Sequence, residues 1–147
     1  MNDTQIEVFT PDHQEQFNQE KLVEFLHNHL DQYRDDRYSI AAAIDYALSS
    51  EPNKGGYVIT ARNREAIVGA VVMNLTHMEG YHPENYLVYI AVDESMRGKG
   101  LGKDILQKAS DVTDGAIALH VEPDNPARQL YEKAGFTNKY LEYRMDK

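Results

Sequence analysis

The sequence predicts a mixed α/β fold in which one sheet is covered by helices. Three observations lead to this class: a continuous apolar run over residues 86–92, an amphipathic pattern over 101–109, and a second apolar run over 116–121. A continuous apolar run is typical of a strand buried on both faces, whereas apolar residues three and four positions apart are typical of a helix. Strands that alternate with helices in this way form a sheet with helices packed on it.

The amino-terminal half is predicted to hold one strand, two helices and a strand hairpin. Residues 5–9 alternate polar and apolar side chains, as a half-buried strand does. Apolar residues recur at helical spacing over 17–30 and again over 40–48. The apolar runs 57–60 and 66–73 are separated by a turn-forming segment around Asn63, which predicts the hairpin.

The carboxyl-terminal half is predicted to end with a helix and a strand. Pro126 suits the first position of a helix and Gly135 suits the left-handed position that ends one, so we expect a helix over 126–134. Residues 136–145 are expected to form the last strand. The 147 residues show no repeat, low-complexity tract or linker, which predicts a single domain over 1–147.

Composition narrows the class of function. The chain has no cysteine and a formal net charge of -9. A chain without cysteine has no disulfide, thiolate zinc site or cysteine nucleophile, and we expect it in the cytoplasm. An acidic chain is poorly suited to neutralising phosphates, so no nucleic-acid partner is expected. The sequence shows no signal-peptide pattern and no apolar run of about eighteen residues, so no membrane association is expected either.

A glycine-rich loop joins the apolar run 86–92 to the amphipathic helix. Glycine lets the backbone approach a ligand closely, and the first turn of a helix presents free N–H groups with partial positive charge. The loop also concentrates basic residues in a chain that is acidic elsewhere, so it is predicted to bind an anion such as a pyrophosphate. Asp104 after Lys103 excludes a Walker loop, and the glycine spacing excludes a Rossmann fingerprint. The loop reads Arg97, Gly98, Lys99, Gly100, Leu101, Gly102, Lys103.

This loop resembles the hallmark of the GCN5-related N-acetyltransferase superfamily, which is Arg or Gln, two residues, Gly, one residue, then Gly or Ala. Arg97, Gly100 and Gly102 stand at these positions. Residues 124–136 are similar to a second family element, with an Asn-rich start, a Leu-Tyr centre and a Gly-Phe end. The resemblance implies a mostly antiparallel twisted sheet whose fourth and fifth strands, here 86–92 and 116–121, splay apart, flanked by about four helices.

The resemblance also implies an activity. Such an enzyme moves the acetyl group of acetyl-CoA to a primary amine of a small molecule or peptide by direct attack in a ternary complex, and it releases coenzyme A. A non-catalytic acyl-CoA-binding sensor is the alternative. The pantetheine arm is expected to pair with the backbone of the fourth strand. The implied cofactor contacts are Ile90, Ala91, Val92, Arg97, Gly98, Lys99, Gly100, Leu101, Gly102, Lys103, Asn125 and Tyr131.

Tyr131 matches the family tyrosine that protonates the departing thiolate. A phenol with an ordinary pKa of about 10 is a plausible donor to a thiolate whose conjugate acid has a pKa of roughly 8 to 9. Asn125 is implied to contact pantetheine, but it lies six residues before Tyr131, whereas Asp124 lies seven before it as in many family members. The contact stays open between these two residues.

The general base is less evident, because the strand positions at which the family often carries Glu are Tyr86 and Val88 here. Glu84 lies two residues before Tyr86 and would share its face of the strand, so Glu84 is the predicted base. The alternatives are His77, His82 and His120, because an imidazole accepts a proton near neutral pH.

Two further expectations come from the resemblance. The family needs no metal, and no metal site is predicted. Family members often pair through their late strands, which leaves a homodimer open for the segment after Phe136.

Overall fold

The computed structural model describes residues 4–147, and its centre is one sheet of five strands in the order β1-β2-β3-β4-β5. Each of the first four strands is antiparallel to its neighbour, whereas β5 runs parallel to β4. This arrangement confirms the mixed, mostly antiparallel sheet that the sequence predicts. The strands are β1 Thr4–Phe9, β2 Gly56–Asn63, β3 Ala66–Leu75, β4 Asn85–Val92 and β5 Ile117–Leu119.

Four α-helices accompany the sheet, and side chains cap the first two. The Asn18 side chain accepts a hydrogen bond from the N–H of Lys21 at 3.1 Å, and Asp36 accepts one from the N–H of Ser39 at 2.7 Å. None of the helices within residues 4–147 has both the length and the apolarity that a membrane span requires. The helices are α1 Gln19–His29, α2 Arg37–Ala47, α3 Leu101–Val112 and α4 Arg128–Lys133.

The helices cover the two faces of the sheet in pairs. Leu22 and Ile44, from α1 and α2, pack against one face, which we call the α1/α2 face. Ile105 from α3 and Tyr131 from α4 pack against the other, which we call the α3/α4 face. Full burial of an aliphatic side chain stabilises the fold by about 1.5–3 kcal/mol, so each face is held by several such contributions.

Two elements are shorter than predicted, and one is absent. β5 covers Ile117–Leu119 instead of 116–121, because its only strand neighbour within the described residues is β4, which pairs with just those residues. α4 begins at Arg128 instead of residue 126, since the N–H of Ala127 bonds to the Asn125 side chain. Residues 137–147 form no strand, so the prediction of a strand over 136–145 is wrong for this chain. A strand needs a neighbour for its backbone groups, and among the described residues no strand pairs with this segment.

Candidate functional site

The site begins with a gap between β4 and β5. The two strands pair only from Asn85 to Leu87, although β4 continues to Val92. The register with β3 also shifts: Leu87 pairs with Met73 but Tyr89 pairs with Val72, so Val88 is an extra residue in a β-bulge. Beyond Leu87, no strand within residues 4–147 pairs with this side of β4, so its backbone groups can bind the amides of an extended ligand.

The glycine loop lies at the far end of this gap. Gly98 and Gly100 have φ angles of +79° and +86°, the left-handed region that favours glycine. Gly100 is also the N-cap that directly precedes α3, and the N–H of Asp104 makes the first helical hydrogen bond, to the Gly100 carbonyl at 3.0 Å. The N–H groups of the preceding residues 101–103 therefore have no helical partner and point out of the positive end of α3. This geometry suits an anion.

The loop is packed against the second family element. A Cβ added to Gly102 would lie 3.2 Å from Leu130 Cδ2 and 3.7 Å from Val92 Cγ2, so α3 approaches both α4 and the end of β4 closely at this position. The structure thus brings together two sequence motifs that are separated by a whole helix and strand.

Arg97 holds the loop in place through its side chain. Its guanidinium donates to the carbonyl oxygens of Val92 and His29, each at 3.0 Å, and forms an ion pair with Asp31 at 3.1 Å. These contacts fasten the loop to the last residue of β4 and to the end of α1. Lys99 and Lys103 are also exposed, and neither takes part in an ion pair within residues 4–147.

Tyr131 lies on the α3/α4 face, in the same apolar cluster as Ile90 and Val92. Only 8% of its surface is exposed, and its ring meets Phe136 edge-on at 6.0 Å between centroids. Burial raises the pKa of Tyr131 to about 12. The phenol therefore keeps its proton at neutral pH, as a proton donor must.

Asn125 and Asp124, the two candidates for the pantetheine contact, have different partners. The Asn125 side-chain oxygen accepts a hydrogen bond from the N–H of Ala127 at 2.8 Å and so caps the turn that leads into α4. Asp124 accepts from the Tyr33 hydroxyl, at 3.3 Å through its carbonyl and 3.4 Å through its carboxylate. No hydrogen bond within residues 4–147 uses the amide N–H groups of Asn125, whereas Asp124 fastens the connection between α1 and α2.

Glu84 lies at the closed end of the β4–β5 pairing instead of at the gap. Its carboxylate accepts a hydrogen bond from the N–H of Ala116 at 2.9 Å, at the turn into β5. That hydrogen bond is the main cause of the lowered pKa of Glu84. The two-residue repeat of a strand predicts Glu84 on the same face as Tyr86, but β4 begins at Asn85 and the Glu84 side chain instead turns toward Ala116.

The three histidines that are alternative candidates for the base lie in different places. His77 and His82 contact backbone carbonyls of Lys54 and Pro83, at 3.0 and 2.8 Å, in and around the β3–β4 loop. His120 directly follows β5, and its Nδ1 lies 3.1 Å from the Tyr86 hydroxyl. Only His120 of these three stands where the strands separate.

Sequence reasoning missed one polar pair beside the gap. The Tyr89 hydroxyl donates a hydrogen bond to the carboxylate of Asp35, in the connection between α1 and α2. The only signal was a tyrosine inside an apolar strand, which is equally typical of a core residue. Within the described part of the chain, no group of three or more His, Asp or Glu side chains is arranged to hold a metal ion.

Comparison with known proteins identifies the family. Residues 7–136 match the family model described as Acetyltransferase (GNAT) family. The chain is also 36% identical, over 99 residues, to an uncharacterized protein of Mycobacterium leprae. The match covers 65% of this chain and 26% of that protein, so the chain spans about a quarter of the length of this curated relative.

Solved structures share the fold at low identity. A transcriptional regulator from Bacillus halodurans gives a TM-score of 0.68 at 18% identity, covering 97% of this chain and 99% of that one. An aminoglycoside acetyltransferase from an uncultured soil metagenomic sample gives a TM-score of 0.64 at 20% identity, and the match covers 99% of this chain and 96% of that one. A ribosomal-protein-alanine N-acetyltransferase from Brucella melitensis gives a TM-score of 0.64 at 18% identity, and the match covers 97% of this chain and 98% of that one. Taken with the family model, the gap and the glycine loop, these likenesses lead to one conclusion: the chain belongs to the GNAT family of acetyltransferases.

Proposed function

We propose that the protein transfers the acetyl group of acetyl-CoA to a primary amine of a small molecule or peptide, within a ternary complex. The observation that carries the proposal is the alignment of three features along one path: the free edge of β4, the glycine loop at its end, and the protonated phenol of Tyr131 beside it. Membership of the family supports the acyl transfer itself.

The chain fits the cofactor mainly through its backbone. No atom lies within 4 Å of a Cβ added to Gly98 or Gly100, so the loop surface is open to a pyrophosphate. The N–H groups of residues 101–103 can donate to its oxygens, and Lys99 and Lys103 add positive charge. The β4 residues Ile90, Ala91 and Val92 can pair with the pantetheine amides, joined by the Asn125 side chain. Bound acetyl-CoA supplies an activated thioester.

Tyr131 supplies the proton for the leaving group in this proposal. Its pKa is raised by burial, so the phenol is fully protonated when a thiolate forms near it. Its position on the α3/α4 face beside Ile90 and Val92 puts it next to the proposed pantetheine path.

A non-catalytic acyl-CoA sensor is the second candidate, and one observation favours it. The carboxylate of Glu84 accepts a hydrogen bond from Ala116, and β4 itself carries no carboxylate, so the gap lacks the carboxylate base that is usual in the family. A sensor would retain the loop and the free strand edge but release no thiol.

Two measurements separate the candidates. Acetyl-CoA should raise the melting temperature, because a ligand that binds the folded state stabilises it. Free thiol release should then be measured with three acceptors: an aminoglycoside, a polyamine and a peptide with an amino-terminal alanine. The aminoglycoside and the peptide are chosen because two of the structural relatives are named for such acceptors. The absence of a melting shift at saturating acetyl-CoA would disprove the cofactor proposal. A shift without thiol release on a broad amine panel would favour the sensor.

A further inference from the structure

Tyr86 and His120 form a pair at the mouth of the gap. Tyr86 stands opposite Ala118 in the paired part of β4 and β5, and His120 follows Leu119, the last paired residue of β5. The Tyr86 hydroxyl lies 3.1 Å from His120 Nδ1, and the two rings meet edge-on at 5.2 Å between centroids. The imidazole therefore stands at the first position where β5 is no longer paired with β4.

This pair lies on the opposite face of the sheet from Tyr131. Leu87 belongs to the α3/α4 cluster with Tyr131, so its neighbour Tyr86 points to the α1/α2 face. The charge of Asp35, from the connection between α1 and α2, acts on Tyr86, which agrees with that orientation. An acceptor that entered from the α1/α2 face would meet the imidazole before it reached the gap, with the phenol of Tyr131 on the far side.

We propose that His120 accepts the proton of the substrate ammonium group, with Tyr86 holding the imidazole in the required orientation. The inference rests on the proposed function. For Nε2 to accept a proton, the neutral ring must carry its own hydrogen on Nδ1, where it donates to the Tyr86 oxygen. The hydrogen bond that one ring nitrogen makes selects the tautomer and leaves the other nitrogen free.

The proton balance is complete without a further reactant. His120 takes one proton from the ammonium group and passes it to water, which leaves a neutral amine. The amine nitrogen forms a bond to the carbonyl carbon as the carbon–sulfur bond breaks, and Tyr131 gives its proton to the departing sulfur. The second proton that leaves the nitrogen restores the phenol through solvent. The products are the acetamide and the free thiol.

The charged groups around the pair come from two parts of the chain. Asp35 comes from the connection between α1 and α2, whereas Glu142 and Arg144 come from the carboxyl-terminal segment, and all three act on Tyr86. The pKa of Tyr86 itself is raised, chiefly by burial, so its hydroxyl stays neutral and remains a hydrogen-bond partner for the ring.

The kinetic test uses His120→Asn, because the asparagine amide retains a donor near the position of Nδ1 but has no lone pair at the position of Nε2. The rate on the best amine of the panel should fall about 100-fold or more, with the binding constant for acetyl-CoA unchanged. The acidic limb of the kcat/KM profile should disappear. His82→Asn is the matched control, since His82 also bonds through Nδ1, and it should behave as wild type.

Tyr86→Phe and nuclear magnetic resonance test the orienting role. Tyr86→Phe should lower kcat several-fold and shift the acidic limb, with KM almost unchanged. Two-dimensional ¹H–¹⁵N spectra of the imidazole should show the Nδ1–H tautomer in the wild-type chain and lose it in Tyr86→Phe. An Nε2–H tautomer in the wild type, or normal turnover by His120→Asn, would overturn the role of His120 and leave the proposed function intact. Absence of turnover by the wild-type chain would overturn the proposed function and the inference together.

Discussion

The surroundings of a side chain in this molecule determine its pKa, as Tyr131 and Glu84 illustrate. Tyr131 is surrounded by apolar groups, and burial raises its pKa. Glu84 accepts a backbone hydrogen bond that stabilises its charged form, and its pKa is lowered. The first residue therefore holds its proton at neutral pH and the second holds its charge.

Replacement of Tyr131 by Phe removes the proposed proton donor and leaves the ring. Turnover should fall about 100-fold, with acetyl-CoA affinity unchanged, because the packing against Phe136 does not need the hydroxyl. Since the pKa of Tyr131 is about 12, the loss should be the same across roughly pH 6 to 9. Calorimetric binding and thiol release check this, and unchanged turnover on a good acceptor would remove the acid role.

Replacement of Glu84 by Gln tests the original base assignment. The neutral amide accepts a weaker hydrogen bond from Ala116, so the melting temperature should fall above pH 5 and approach that of the wild type at lower pH. The difference in melting temperature disappears at low pH because the pKa of Glu84 is lowered in the folded state. The charged carboxylate stabilises the fold at higher pH, and this stability is lost as the pH falls through that pKa. Turnover should be unchanged; a large loss of kcat at constant stability would show that Glu84 is the base.

At the scale of elements, local backbone geometry could be predicted from the sequence, whereas contacts between residues far apart in the sequence could not. Gly135 ends α4 with φ +104°, as its position in the motif predicts, since the need for a left-handed residue is local. The Glu84 contact joins residues 32 positions apart, and no local pattern signals it. The same holds for the predicted last strand. Apolar and charged side chains alternate over residues 141–145 as they do in a strand, but this pattern does not show which strand the segment would pair with.

The turn into α3 offers a test of the glycine loop. Gly100→Ala places a Cβ in a left-handed conformation and should cost about 1–2 kcal/mol of unfolding free energy. It should also weaken acetyl-CoA binding, because the backbone can relax away from the geometry that presents its N–H groups. Gly80→Ala is the matched control: its φ is +94° and its surroundings are equally open, but it lies in the β3–β4 loop. Chemical denaturation and calorimetry should show similar destabilisation, with weaker binding only for Gly100→Ala.

At the scale of the whole molecule, the carboxyl-terminal segment carries an apolar stripe. Leu141, Tyr143 and Met145 occupy alternate positions, and 74%, 88% and 79% of their surfaces are exposed. Three large apolar side chains in one row are costly to leave in water, and large exposed patches mark interaction surfaces. We expect a second copy of the chain to cover the stripe, as the resemblance to the family left open.

Light scattering after size-exclusion chromatography tests this expectation. The wild-type chain should show a mass that rises to that of a dimer as its concentration increases, and Tyr143→Glu should shift it toward the monomer. Tyr38→Glu is the control, because Tyr38 is 84% exposed but lies on α2. A monomer at every concentration of the wild type would contradict the expectation.

The connection between α1 and α2 has a consequence for engineering. Asp31 binds Arg97 beside the glycine loop, Tyr33 binds Asp124 before α4, and Asp35 binds Tyr89 at the gap. One short segment thus contacts the glycine loop, the segment before α4 and the gap, which are the proposed surroundings of both reactants. Directed evolution of acceptor choice through this segment should therefore also change the residence time of acetyl-CoA. Stopped-flow dissociation rates of evolved variants would show this, and rates that stay constant while acceptor preference changes would show that the two properties are independent.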